Sequence, residues 1–150
     1  LQEKAVSVIR FPKANLAFAS APLGDAAAAP HWWKKGTEKC VVSFGHLAAE
    51  AQQAVENTPY AHLNIPVVLP FPHEALSEIL APFKLVVSLE ENTAVGGLGA
   101  ALQKLLVSGK LALQHRAMTL PHRFVAHGSR AELLAECGLD AAAVLKTLQD

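Results

Sequence analysis

The segment Leu85-Val86-Val87-Ser88-Leu89 runs without a break into Glu90-Glu91-Asn92 and then into Gly96-Gly97-Leu98-Gly99. Beyond the glycines, Leu98, Ala101, Leu102, Leu105 and Leu106 recur at i, i+3, i+4, i+7 and i+8. That spacing places them on one face of a helix. A strand apolar on both faces, a glycine bend and an amphipathic helix form the first two-thirds of a β-α-β unit. Such strands are buried on both sides, so helices must cover both faces of the sheet they build.

The same order repeats along the chain. Cys40-Val41-Val42-Ser43-Phe44 reads as a buried strand ended by Gly45. A helix follows, with Leu47, Ala48, Ala51, Ala54 and Val55 on one face, and Thr58-Pro59 ends it. Ile65-Pro66-Val67-Val68-Leu69 is expected to be the next strand. Pro72 then opens a helix with Ala75, Leu76, Ile79 and Leu80 inward, stopped by Pro82; an early helical position needs no N–H donor. Ser108-Gly109 closes the helix begun at Leu98, and Leu111 to Met118 reads as a further strand. Ser129 with Glu132 three residues on is a capping box. Leu133, Leu134 and Cys137 are expected inward, with Gly138 as the C-terminal turn. Asp140 caps a last helix carrying Ala141, Val144, Leu145 and Leu148. Near the start of this patterned region, Trp32-Trp33-Lys34-Lys35 reads as a short strand that Gly36-Thr37 turns back into Cys40-Phe44. The fold class is therefore α/β: a three-layer α/β/α sandwich around a mostly parallel sheet of about five strands.

Upstream the pattern changes. Residues 1–13 hold a short extended run, Val6-Ser7-Val8-Ile9, ended by Arg10-Phe11-Pro12. A lone strand is not stable, so it needs a sheet elsewhere. Residues 14–31 are small and weakly patterned, and read as a linker crossing a surface. The region 32–150 is the folded domain. The chain opens Leu-Gln-Glu-Lys without a methionine, as expected of a fragment.

With 51% hydrophobic and 17% charged residues, the chain of 150 residues is richer in apolar groups than an average domain. That length supports one core without a metal or disulfide staple. Thirteen basic residues balance thirteen acidic ones, and no basic stripe exists to neutralise a phosphate backbone, so no nucleic-acid partner is expected. No run approaches the ~20 apolar residues that span a bilayer, and no signal peptide opens the chain, so no membrane partner is expected. Cys40 and Cys137 read as buried free thiols of a reducing compartment, the cytoplasm.

Few residues here suggest chemistry. Gly96-Gly97-Leu98-Gly99 lies between a strand and a helix, where backbone N–H groups can cradle a phosphate. The dinucleotide fingerprint fails at Leu102, and no Walker lysine follows. The alternative reading is close packing of loop and helix against a neighbour. Glu90 and Glu91 leave the end of a strand, where α/β sheets place function. Being adjacent, they point to opposite sides and make no acid/base pair. One is expected to meet solvent or a partner, the other to bond nearby loop N–H groups. The seven histidines, His31, His46, His62, His73, His115, His122 and His127, lack the spacing of a zinc pair, so no metal site is expected and they read as surface or interface groups. Ser43, Ser88 and Ser129 lack a nucleophile elbow. Trp32 and Trp33 read as anchors of an edge or interface. Arg10, at the end of an apolar strand, has the planar fork that grips a phosphate or makes a surface salt bridge.

These residues together resemble a family. Leu85 to Asn92 followed by Gly96 to Ala101 is similar to the strand, acidic pair and glycine-rich helix start of transketolase-type C-terminal domains. Val41-Val42-Ser43-Phe44-Gly45 resembles their first parallel strand. Leu120-Pro121-His122-Arg123-Phe124-Val125-Ala126-His127-Gly128-Ser129-Arg130-Ala131-Glu132-Leu133-Leu134, with Gly138-Leu139-Asp140, resembles the tail of the 1-deoxy-D-xylulose-5-phosphate synthases. Val8 to Lys13 resembles the last strand of the preceding pyrimidine-binding domain. The segment Val68-Leu69-Pro70-Phe71-Pro72-His73-Glu74 departs from the family, which carries an acidic residue and an arginine there.

The resemblance implies a five-stranded sheet with one antiparallel strand. It implies a C-terminal scaffold and dimerisation domain of a thiamine-diphosphate transferase that joins pyruvate to glyceraldehyde 3-phosphate, or the corresponding part of a transketolase or of a split one. Thiamine diphosphate and magnesium belong to the parent's upstream domains, and this fragment binds no cofactor and is not active alone. Its partners are those thiamine-binding domains and a second copy in a homodimer. No catalytic residue is implied here. Arg10 is implied at the substrate phosphate, and Glu90, Glu91, Asn92, Gly96, Gly97 and Gly99 at the interface.

Overall fold

The computed structural model describes residues 29–150. The extended run Val6 to Ile9, Arg10 and most of the linker lie outside the described residues. Five strands form one sheet in the order β1-β3-β2-β4-β5: β1 His31–Lys34, β2 Lys39–Ser43, β3 Ala61–Asn64, β4 Leu85–Thr93 and β5 Gln114–Leu120. All neighbouring pairs are parallel except β1 with β3. Five α-helices connect or follow the strands: α1 Ala48–Val55, α2 His73–Leu80, α3 Leu98–Gly109, α4 Arg130–Cys137 and α5 Ala141–Gln149.

Strand alternation sends successive side chains to opposite cores. Cys40, Val42, Leu63 and Val86 pack with Leu76 and Leu80 of α2 and Leu98, Leu102 and Leu105 of α3. Val41, Val87 and Leu89 pack on the other face with Ala51 and Val55 of α1, Leu134 of α4, and Val144 and Leu148 of α5. The three-layer sandwich with one antiparallel strand is thus observed. Each fully buried leucine contributes about 1.5–3 kcal/mol relative to an exposed one. Lysine ammonium groups close two helix ends: Lys34 bonds the carbonyls of Val55 and Thr58 after α1, and Lys39 that of Leu148 in α5. A cation there offsets the negative end of the helix dipole.

Five sequence expectations need correction. The segment Trp32 to Lys35 does not turn back onto β2; β1 lies antiparallel to β3, with Trp32 opposite Leu63. Strand β2 already has parallel neighbours on both edges, so the sequence-adjacent strand is displaced to the rim. The strand expected at Ile65–Leu69 is Ala61–Asn64 instead, and only Ile65 keeps a bond to the sheet, donating its N–H to Ser43. Pro66 has no N–H to continue the ladder. Strand β4 extends through Glu90-Glu91-Asn92 to Thr93, and β5 begins at Gln114 rather than Leu111. Finally, Ala75 is exposed; α2 buries Leu76 and Leu80.

The helix signals at the end of the chain hold. Ser129 and Glu132 form both halves of the capping box, and Gly138 adopts φ 67° after α4. Asp140 accepts from the Ala143 N–H to start α5.

Candidate functional site

In open α/β sheets, function collects at the carboxyl ends of parallel strands. Here that end is built by Glu90 and Glu91 on β4, the start of α3, and the loops after β3, β4 and β5.

Glu90 is 1% exposed. Its two carboxylate oxygens accept from the backbone N–H groups of Leu98 at 2.9 Å and Gly99 at 2.8 Å. These donors open α3, where the helix dipole favours negative charge. The anion cradle suggested by the glycine-rich segment therefore exists, and the protein's own carboxylate fills it. Gly97 makes this possible, because a Cβ there would stand 2.1 Å from Glu90 Oε2. Gly99 gives way to Ser88 Oγ and Ala117 Cβ, each 3.0 Å from where its Cβ would be. The phosphate or nucleotide alternative loses its site, since the donors are taken.

Glu91 points the other way, as adjacent strand residues must. Its carboxylate meets Arg130 at the start of α4 through two parallel bonds of 2.9 and 2.8 Å. This bidentate fork ties the end of β4 to the start of α4 and holds the Arg130 guanidinium charged. Asn92 is exposed and accepts from the Thr93 N–H. Gly96 is exposed, with φ 77° and open space around a built Cβ.

Two side-chain networks are not legible in the sequence. On the α1 face, His62 Nε2 lies 2.7 Å from Ser43 Oγ and Nδ1 lies 3.0 Å from Gln52 Oε1, with Asn64 beyond Ser43. On the α3 face, His115 Nε2 lies 3.0 Å from Ser88 Oγ and Nδ1 lies 3.1 Å from Gln103 Oε1. In each, the histidine sits beside the residue two before the serine on the neighbouring parallel strand: Val41 with His62, and Val86 with His115. The glutamine comes from the crossover helix. His62 is thus fully buried, which corrects its reading as a surface group. Burial lowers its pKa to about 3, so the ring is neutral. Ser43 and Ser88 are both fully buried, so neither hydroxyl is open to a substrate, while His115 is only half-buried and lines a surface groove beside α3. Period-2 alternation in Ala61-His62-Leu63-Asn64 was the available signal.

Cys40 is buried and free, its thiol pushed up to about 12 by desolvation. Cys137 is free and only half-buried, short of the full burial expected. Among the described residues no group of acidic, histidine or cysteine side chains could hold a metal ion, and no helix is long and apolar enough to cross a membrane.

Large apolar side chains stand out at this end of the sheet. Leu69 in the loop after β3 is 80% exposed, Val95 after β4 83%, and Phe124 after β5 101%. The loops after β3, β4 and β5 thus each raise one apolar residue into solvent at this end of the sheet.

The family described as "Transketolase, C-terminal domain" matches residues 31–144. A 1-deoxy-D-xylulose-5-phosphate synthase of Chromohalobacter salexigens is 34% identical over 120 residues, covering 80% of this chain and 18% of that protein. The synthase of Dechloromonas aromatica is 30% identical over 116 residues, covering 77% and 19%. Among solved structures, a split-gene transketolase described as an inactive β4 tetramer superposes with TM-score 0.72 at 24% identity, over 81% of this chain and 41% of that one. This chain therefore spans less than a fifth of those two synthases.

Proposed function

We propose, since this chain belongs to the family of transketolase C-terminal domains, that it is the scaffold and docking domain of a thiamine-diphosphate transferase, a 1-deoxy-D-xylulose-5-phosphate synthase acting on pyruvate and glyceraldehyde 3-phosphate in the cytoplasm. The observation that carries this reading is the carboxyl end of the sheet. Its anion cradle is plugged by Glu90, while Leu69, Val95 and Phe124 stand exposed in loops at the same end of the sheet. Such an end is suited to dock and unsuited to catalyse.

The described residues do not fit the cofactor. They offer no ligand cluster for magnesium, and the helix start that would take a diphosphate already holds a carboxylate. Thiamine diphosphate and magnesium are assigned to upstream domains of the same enzyme. Those domains and a second copy of the chain are the partners of the carboxyl-end surface, including Glu91, Asn92 and Gly96. Gly97 and Gly99 support it from beneath by seating Glu90. Arg10 is assigned the phosphate of the acceptor substrate, on the resemblance of Val8 to Lys13.

The test uses the full-length polypeptide that carries this chain. Val95→Asp with Phe124→Asp is expected to weaken assembly, read by light scattering, and to reduce synthase turnover. The same pair in the isolated chain leaves the melting temperature unchanged, because both positions are exposed. Unaltered assembly and turnover in the full-length protein would remove the docking role. Absence of synthase turnover in the unsubstituted protein would remove the substrate assignment.

A further inference from the structure

We propose that the outer edge of β5, with the groove beside it, binds an extended acidic segment of a partner polypeptide and adds it to the sheet as a further strand. β5 is the rim of the sheet and pairs, among the described residues, with β4 alone. The Gln114 N–H faces inward, bonding the Lys84 carbonyl at 2.8 Å. Backbone groups alternate along a strand, so His115, Ala117 and Thr119 turn theirs outward.

Edge strands are ordinarily protected by proline, lysine, bulges or a covering element. Gln114–Leu120 contains neither proline nor lysine. Its one charge, Arg116, is tied down to the Thr147 carbonyl at 3.1 Å. A groove of about 690 Å³ runs between this edge and α3, with Ala100, Val107 and Ala117 among its walls. Val107 is 71% exposed. Backbone pairing along β5 would supply affinity, and the groove would take alternate apolar side chains, as in β-strand addition.

Charge decides the occupant. Lys104 lines this groove and Lys110 its continuation, and no acidic residue lines either part. Both lysines are exposed and stand outside the ion pairs among the described residues. The chain as a whole is neutral, so this edge is locally positive. A second copy paired edge to edge would bring lysines against lysines, and like charges across an interface are unfavourable. An acidic strand meets the complementary potential.

The probe is a fluorescein-labelled peptide of ~8 residues alternating glutamate and valine, the span of an ordinary strand. Its counterpart alternates lysine and valine. Fluorescence anisotropy with the 150-residue chain is expected to show saturable binding of the acidic peptide only. Lys104→Glu with Lys110→Glu is expected to weaken it about tenfold. Ala117→Pro, which removes one outward N–H at a position where an edge tolerates proline, is expected to abolish it. If that variant does not fold, the lysine pair, being exposed, still tests the charge argument. Equal binding of the two peptides, or binding of neither, overturns the proposal. So does concentration-dependent association of the chain that Ala117→Pro abolishes, which would assign the edge to a second copy.

Discussion

Gly97 lies against the carboxylate of Glu90 so closely that a Cβ on the glycine would sit 2.1 Å from Oε2. The acid and the absent side chain occupy one space. Gly97→Ala must displace Glu90 from the Leu98 and Gly99 N–H groups and strand a buried charge, at a cost of about 3 kcal/mol. Gly96→Ala one residue earlier meets nothing within 4 Å and carries only the strain of φ 77°, about 1 kcal/mol. Urea unfolding of the two variants should reproduce that order. Equal losses would mean that Glu90 is not held as described.

Stability should fall with acidity between pH 7 and 5. His62 has an ordinary pKa of 6.5 when unfolded and about 3 when buried. Above 6.5 both states are neutral and stability is whole. Below it the unfolded chain takes a proton that the folded chain refuses, so stability drops toward ~1.4 kcal/mol per pH unit until the folded value is reached. Burial lowers His115 too, which adds in the same direction. The exposed carboxylates of Glu38 and Glu132 are shifted down from 4.5 and titrate beneath this window. Urea midpoints at several pH values should show the slope, and His62→Gln should flatten most of it. An unchanged slope in that variant would refute the assignment.

Arg130→Lys should cost about 0.5–1 kcal/mol, because lysine cannot reproduce the two-bond fork to Glu91. The loss is small since both side chains are about one-third exposed. A double-mutant cycle with Glu91→Gln isolates the coupling. Zero coupling would show that the pair is merely adjacent.

Cys137 should react with a thiol reagent well before Cys40, which is fully buried and holds its proton up to about 12. Timed labelling of the native chain followed by peptide mass mapping distinguishes the two. Labelling of Cys40 at a comparable rate would point to an opening of the β2–β3 region.

Calorimetry of the 150-residue chain with thiamine diphosphate and magnesium should register no binding heat. A micromolar dissociation constant would contradict the assignment of the cofactor to upstream domains.

Local chemistry made much of this fold readable. The apolar run Leu85 to Leu89, the helical face Leu98 to Leu106, the Ser129–Glu132 box and Gly138 each declare themselves within a few residues. Pairing across the sheet does not. Nothing near Trp32 says that its partner is Leu63 rather than a residue of β2. The apolar Ile65-Pro66-Val67-Val68-Leu69 outweighed Ala61-His62-Leu63-Asn64, since a buried strand carrying two polar residues looks exposed until Ser43 and Gln52 are placed around His62. The orientations of Glu90 and Glu91 followed from alternation alone. Their partners, α3 amides in one case and Arg130 in the other, depend on where the helices dock.

The paired histidines also bear on how the sheet assembles. Parallel pairings join distant parts of the chain and are among the slowest contacts to form. A slip of one residue turns every side chain to the opposite face. With β3 or β5 displaced by one rung, His62 would leave Ser43 and His115 would leave Ser88, each carrying its imidazole into an apolar layer. The two βαβ crossovers are therefore keyed: an imidazole reaches a hydroxyl and an amide only when its strand has stopped at the right rung.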